Sequence, residues 1–104
     1  MKIPPRNELS SALRVARRAR GLSQEDFGGV SGRTYVSQIE RGERQATLSK
    51  IDDLASVLEV HPASLVVLAY LPIGLGQDAA GKLLDRIRAD LETLLSAYSE
   101  VKRG

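Results

Sequence analysis

Leu22-Ser23-Gln24-Glu25-Asp26-Phe27-Gly28-Gly29-Val30-Ser31-Gly32-Arg33-Thr34-Tyr35-Val36-Ser37-Gln38-Ile39-Glu40-Arg41-Gly42 is the stretch that decides the fold. It holds two short helix signals with a glycine turn between them. Ser23 reads as an N-cap, and Glu25 and Asp26 fall in the first turn of a helix from Gln24 to about Val30. Gly28 and Gly29 each weaken that helix by up to roughly 1 kcal/mol relative to Ala. A glycine inside a helix predicts a close approach by a second backbone, and Gly28 is the candidate. Ser31-Gly32 marks a tight turn. The next helix, Arg33 to Glu40, carries Val36 and Ile39 on one face. Arg33, Thr34, Ser37, Gln38 and Arg41 lie around the other side, and Gly42 ends it.

Upstream, a first helix is predicted from about Asn7 to Arg20, with Leu9, Leu13, Val15 and Ala16 near its apolar face. Arg14, Arg17, Arg18 and Arg20 crowd its last two turns, where cations suit the helix dipole, and Gly21 supplies the stop. Downstream, Thr47 caps a fourth helix, Leu48 to Leu58, with Leu48, Ile51, Leu54, Ala55 and Leu58 in 3–4 spacing. His61-Pro62 opens a fifth, since Pro is preorganised for the first helical position, and Pro72 follows its end near Tyr70. Leu71 to Gly76 reads as a Pro/Gly linker. A last helix spans about Asp78 to Val101. Leu84, Leu91 and Tyr98 recur every seven residues, as do Ala80, Ile87, Leu94 and Val101 offset by three: an a/d heptad stripe, widened by Leu83 and Leu95.

Composition narrows the class. The chain has 104 residues, 42% hydrophobic and 27% charged, about one domain's worth of globular sequence. With three Tyr, one Phe and no Trp, the core is aliphatic, which favours packed helices. No apolar run reaches the roughly 18 residues of a membrane span, and the polar, proline-containing Met1 to Asn7 does not read as a signal peptide. The absence of Cys excludes disulfides and thiolate metal sites. A single His excludes a multi-histidine site within one chain, so neither metal nor cofactor is expected. The net charge of +2 hides an asymmetry: residues 1–46 hold nine Lys/Arg against five Asp/Glu, and residues 47–104 hold six against eight. A basic front half suits a polyanion.

The physical reading of the central stretch is groove binding. One α-helix fits the DNA major groove, and a partner helix must hold it at a fixed height. The outward face must offer hydrogen-bonding side chains. Arg bonds guanine bidentately and Gln bonds adenine, so Arg33, Thr34, Ser37 and Gln38 qualify. The start of the second helix would aim backbone N–H groups at a phosphate.

Three motifs carry a resemblance: Leu22-Ser23-Gln24-Glu25-Asp26-Phe27; Tyr35-Val36-Ser37-Gln38-Ile39-Glu40-Arg41-Gly42-Glu43-Arg44; and Thr47-Leu48 with Ile51, Leu54, Ala55 and Leu58. Over residues 9–68 the chain resembles the XRE family of phage-repressor and Cro-like helix-turn-helix regulators. The resemblance implies an all-α fold: a five-helix lambda-repressor-like DNA-binding domain over residues 1–71, binding a palindromic operator as a dimer. It implies base contacts from Arg33, Thr34 and Gln38, and phosphate contacts from Gln24, Tyr35, Ser37, Arg41 and Arg44. It also implies an ion pair between Arg17 and Glu40 that joins the first and third helices. The chain departs from the family pattern at Gly28 to Gly32, where the connection is about two residues shorter than usual, which bears on the tilt of the third helix.

Residues 72–104, the linker and heptad helix, lie outside the resemblance. The stripe of Leu84, Ile87, Leu91, Leu94 and Tyr98 is the expected homodimer seam. The function expected is a bacterial or phage transcription regulator, a repressor or autoregulator, not an enzyme. Its partner is double-stranded DNA, it has no membrane role, and it resides in the cytoplasm, on the nucleoid when DNA-bound. The alternatives are an antitoxin that also neutralises a partner toxin, and a restriction–modification controller. His61 is read as a helix cap. Gly74-Leu75-Gly76-Gln77-Asp78-Ala79 lacks the preceding strand a dinucleotide site needs, and Ser99/Lys102 lacks a pocket.

Overall fold

The computed structural model describes residues 7–29, 32–71 and 76–103, with side chains described as far as Tyr98. The Met1–Arg6 segment, Val30 at the predicted end of the second helix, Ser31 of the predicted turn, Pro72 to Leu75 of the predicted linker, and the side chains of Ser99, Val101 and Lys102 lie outside the described residues. The elements are α1 (Leu9–Ala19), a single 3₁₀ turn (Gln24–Phe27), α2 (Arg33–Glu40), α3 (Leu48–Leu58), α4 (Pro62–Ala69) and α5 (Gly76–Arg103). There is no strand among the described residues. The chain falls into two compact units, residues 1–72 and 73–104.

Local chemistry explains most boundaries of the first unit. Thr47 accepts a hydrogen bond from the Lys50 N–H at 3.2 Å, capping α3. His61 Nδ1 accepts from the Ala63 N–H at 3.0 Å, so the lone histidine does cap α4, with Pro62 in the first turn. Gly21 and Gly42 follow α1 and α2 with φ of 69° and 75°, a left-handed geometry that any side chain would strain. Glu59 takes the same region, φ 58°, at the end of α3.

The second predicted helix is shorter than the sequence suggested. It stops at Phe27, and Gly28 and Gly29 form a turn. Gly28 is not a crossing point either. A Cβ built there meets only the Glu25 carbonyl, at 3.1 Å, within its own turn. What fixes this segment is Phe27, the chain's one phenylalanine, which is fully buried. Around it pack Leu13 of α1, Val36 and Ile39 of α2, Leu54 and Leu58 of α3, and Leu65 of α4. Burying each large side chain contributes about 1.5–3 kcal/mol. The Glu8 N–H donates to the Ala69 carbonyl at 2.6 Å and ties the start of α1 to the end of α4.

Two apolar assignments fail. Val15 is exposed, and Ala12 takes its place on the buried face of α1 with Leu9 and Leu13. Position 15 lies about 200° around the helix from Leu13. Leu48 is 79% exposed although it keeps the spacing of Ile51 and Leu54, because it stands in the first turn of α3 beyond the edge of the core.

The second unit consists of α5, a 28-residue helix about 42 Å long. Leu84, Leu91, Leu94, Leu95 and Tyr98 are exposed along it. Arg86 pairs with Asp90 one turn on, at 3.1 Å.

Candidate nucleic-acid interface

α2 is the third helix of the sequence reading, and its two faces are sharply divided. Val36, Ile39 and Glu40 are buried; Arg33 and Thr34 are exposed, and Ser37 and Gln38 are half-buried. Gln24, at the start of the 3₁₀ turn, joins Arg33, Thr34, Ser37 and Arg41 in lining one shallow polar concavity. Five of the eight predicted DNA-contacting residues are thus brought together on one surface.

Glu40 anchors this surface from behind. Its side chain is only 3% exposed. Arg17 Nε donates to Oε2 at 2.6 Å and Arg17 Nη2 to Oε1 at 2.9 Å, a bidentate pair spanning α1 and α2. Arg17 Nη1 also donates to the Leu22 carbonyl at 2.9 Å, and Arg14 Nη2 to the Glu40 carbonyl at 2.6 Å. The ion pair implied by the resemblance is present. Gln24 Nε2 donates to Glu40 Oε1 at 3.1 Å, a partner that sequence reasoning had not assigned to it. Burial is the largest influence on the Glu40 carboxyl and pushes its pKa up. Hydrogen bonds from Arg17 and Gln24 and the charges of Arg17 and Arg14 outweigh it, so the net shift is downward and Glu40 stays ionised. Arg17 is shifted up, chiefly by its bond to Glu40.

The exposed cations have partners as well. Arg33 Nη1 lies 3.6 Å from Glu25 Oε1 across the turn, a solvent-exposed pair that a base edge can replace at little cost. Arg41 donates to Glu43 at 2.7 and 3.2 Å and also to the Ser37 hydroxyl. Its bond to Glu43 raises the Arg41 pKa and lowers that of Glu43. Arg44 Nε donates to Gln38 Oε1 at 2.9 Å.

Tyr35 joins the remaining residues into a second cluster. Its ring packs against the core, and burial raises the pKa of its phenol. The Arg44 guanidinium lies 5.4 Å from the ring centroid and the Lys50 ammonium 5.2 Å, both within cation–π range. Lys50, Glu25 and Glu43 were missed by sequence reasoning. Glu43 sits two residues from Arg41 and was legible as a local pair, but nothing in the pattern links Lys50 of α3 to Tyr35 of α2.

Among the described residues no group of three or more His, Asp or Glu could hold a metal ion. No helix there is long and apolar enough to cross a membrane.

A helix with one face locked in the core and the other lined by arginine, hydroxyl and amide groups, preceded by a tight turn, defines a helix-turn-helix DNA-binding protein. The chain belongs to the helix-turn-helix family, of XRE type: the family model described as "Helix-turn-helix" matches residues 13–65. It is similar to the control protein C.SmaI of Serratia marcescens, 38% identical over 60 residues, which are 56% of this chain and 71% of that protein. It is also similar to the crystal structure of the restriction-modification controller protein C.AhdI from Aeromonas hydrophila. That match has 42% identity and a TM-score of 0.51, and covers 55% of this chain and 86% of that one. The protein is a DNA-binding transcriptional regulator. α5 lies outside the residues matched by the family model.

Proposed function

We propose that the protein binds a palindromic operator as a homodimer, with α2 of each subunit in the major groove. The observation that supports this best is the division of α2: its inner face is fixed by the Arg17–Glu40 pair and by Val36 and Ile39, which leaves Arg33, Thr34, Ser37 and Gln38 accessible. In this reading Arg33, Thr34 and Gln38 contact bases. Gln24, Tyr35, Ser37, Arg41 and Arg44 contact phosphates, and Lys50 adds charge beside Tyr35. Residues 1–71 form the DNA-binding domain, residues 72–104 the linker and dimerisation helix, and Leu84, Ile87, Leu91, Leu94 and Tyr98 the seam. The half-sites then lie about one helical turn, roughly 34 Å, apart.

Within this class, the likeness to two restriction–modification control proteins favours a controller of that kind over an antitoxin. Regulation of genes makes the cytoplasm its place of work, and nothing in the reading calls for catalysis. The test is selection of genomic fragments by the purified full chain, followed by footprinting. The expected result is one symmetric site beside restriction–modification genes, protected over two half-sites one turn apart. Enrichment without symmetry, or none at all, refutes the proposal.

A further inference from the structure

We propose that the first unit carries a contact surface for a second copy of the chain, an apolar groove beside Leu48, and that this contact sets the spacing of the two half-sites the protein reads. The inference rests on the reading above, in which two subunits occupy a palindrome.

α4 is apolar on every side, with Ser64 its one polar residue. A helix apolar all round belongs under cover. Leu65 and Ala69 are buried in the core, but Val66 is only half-buried and Tyr70, at the helix end, is 42% exposed. With Leu9, Leu48 and Ile51 these two line a groove of about 130 Å³, room for about one large aliphatic side chain. Leu48, the most exposed large apolar residue among those described, stands at its edge.

Charge, position and size commit the groove to a second copy. The described residues that line it carry no charge, in a chain that is 27% charged. A two-fold contact sets one patch against the same patch, so an uncharged one meets itself without repulsion. At the other end of α2, Glu25 and Asp26 are exposed and would face like charges. Gln45, Ala46 and Leu48 line the groove and follow directly on Arg44, so it lies beside the DNA-contacting surface, past the C-terminal end of α2. A compact unit spanning residues 1–72 is roughly 29 Å across. Two such units on half-sites roughly 34 Å apart leave about 5 Å between them, a gap that side chains close. The groove has nine described lining residues, against the about 20–30 a side of a stable interface. It therefore closes when DNA holds both subunits at high effective concentration, and association in free solution is left to α5.

The test is binding of the full chain to duplexes that carry one half-site of a selected operator, or two inverted half-sites whose separation changes in single base-pair steps. Four proteins are compared: wild type, Leu48→Glu, Leu48→Gln and Leu91→Asp. A carboxylate in the first turn of α3 suits the helix dipole, so Leu48→Glu keeps the fold, and Leu48→Gln removes the apolar contact without adding charge near DNA. Wild type is expected to favour one separation by about tenfold, less than the full burial of one leucine per subunit supplies. Both Leu48 variants should flatten that optimum, and Leu48→Gln should bind the single half-site as wild type does. Repulsion between a new charge and DNA weakens every duplex alike and leaves the optimum in place. Leu91→Asp should bind less tightly yet keep the optimum. If the Leu48 variants keep it, another occupant covers the groove; this inference is refuted and the palindrome reading stands. A Leu48→Gln melt several degrees below wild type would put Leu48 under a segment of its own chain and refute it as well. Loss of the optimum in Leu91→Asp alone would assign the spacing to α5. If wild type gains nothing from a second half-site at any separation, the palindrome reading itself fails and takes this inference with it.

Discussion

Replacing Arg17 by Ala tests the anchor on which the reading face depends. Glu40 is buried, and Arg17 supplies two of the three side-chain hydrogen bonds to its carboxylate. Removing one partner of such a pair costs about 3–5 kcal/mol, because the surviving charge has lost its compensation without regaining water. Gln24 remains, and the Arg14 guanidinium stands 3.9 Å from Oε1 with a 41% exposed side chain that can move closer. The expected loss is therefore at the lower end, about 3 kcal/mol. For a unit of this size each kcal/mol moves Tm by about 4–8 °C, so the melt should fall by roughly 12–24 °C. The pH dependence supplies an independent check. A carboxyl whose folded pKa lies below its unfolded one contributes stability above the unfolded value and loses it as pH falls through the folded value. Wild type should therefore lose stability on acidification below the ordinary carboxylate range. In the variant the carboxyl protonates at higher pH, so the gap between the two proteins should narrow as pH falls below the ordinary carboxylate range. Calorimetry on both proteins across that range decides the matter. A melt within about 1 kcal/mol of wild type at neutral pH, the worth of an exposed pair, would show that Arg17 and Glu40 do not form a buried pair.

Three further outcomes follow from the interface. Arg33→Ala should weaken operator binding by about 1–3 kcal/mol and relax preference at one base position per half-site. An equal loss on random DNA in the same titration would reduce Arg33 to a phosphate contact. Glu43→Gln removes the carboxylate that occupies Arg41, so binding should tighten and the log–log salt slope steepen by up to about one unit per subunit; weaker binding in that series would mean that Glu43 positions Arg41 productively. Leu91→Asp sets a charge in the middle of the α5 stripe, which in the proposed dimer is buried against a symmetry mate with nothing to offset it. Sedimentation should show a monomer that melts as wild type does in its first unit, and a variant that stays dimeric would place the interface elsewhere.

What the sequence determined by itself was local. Helix positions follow from caps and periodicity that act within a few residues: Thr47 on the Lys50 N–H, His61 on the Ala63 N–H, and the glycines after α1 and α2. The polar face of α2 was legible for the same reason, since the 3.6-residue period puts Arg33, Thr34, Ser37 and Arg41 on the side away from Val36 and Ile39. The Arg17–Glu40 pair was legible only through family resemblance, because the residues lie 23 apart and no local rule brings them together. The rest depended on distances between elements, which are set by how side chains fill the core. Apolar spacing did not show that Val15 and Leu48 fall outside it, because hydropathy marks a face without marking where the neighbouring helix ends. Likewise, only packing around Phe27 and Tyr35 brings Gln24 to Glu40, sets Lys50 over the Tyr35 ring, and places Arg44 against both Tyr35 and Gln38. Charge and hydrogen-bonding capacity are properties of residues, but the pairs they form are decided by the positions of the backbones that carry them.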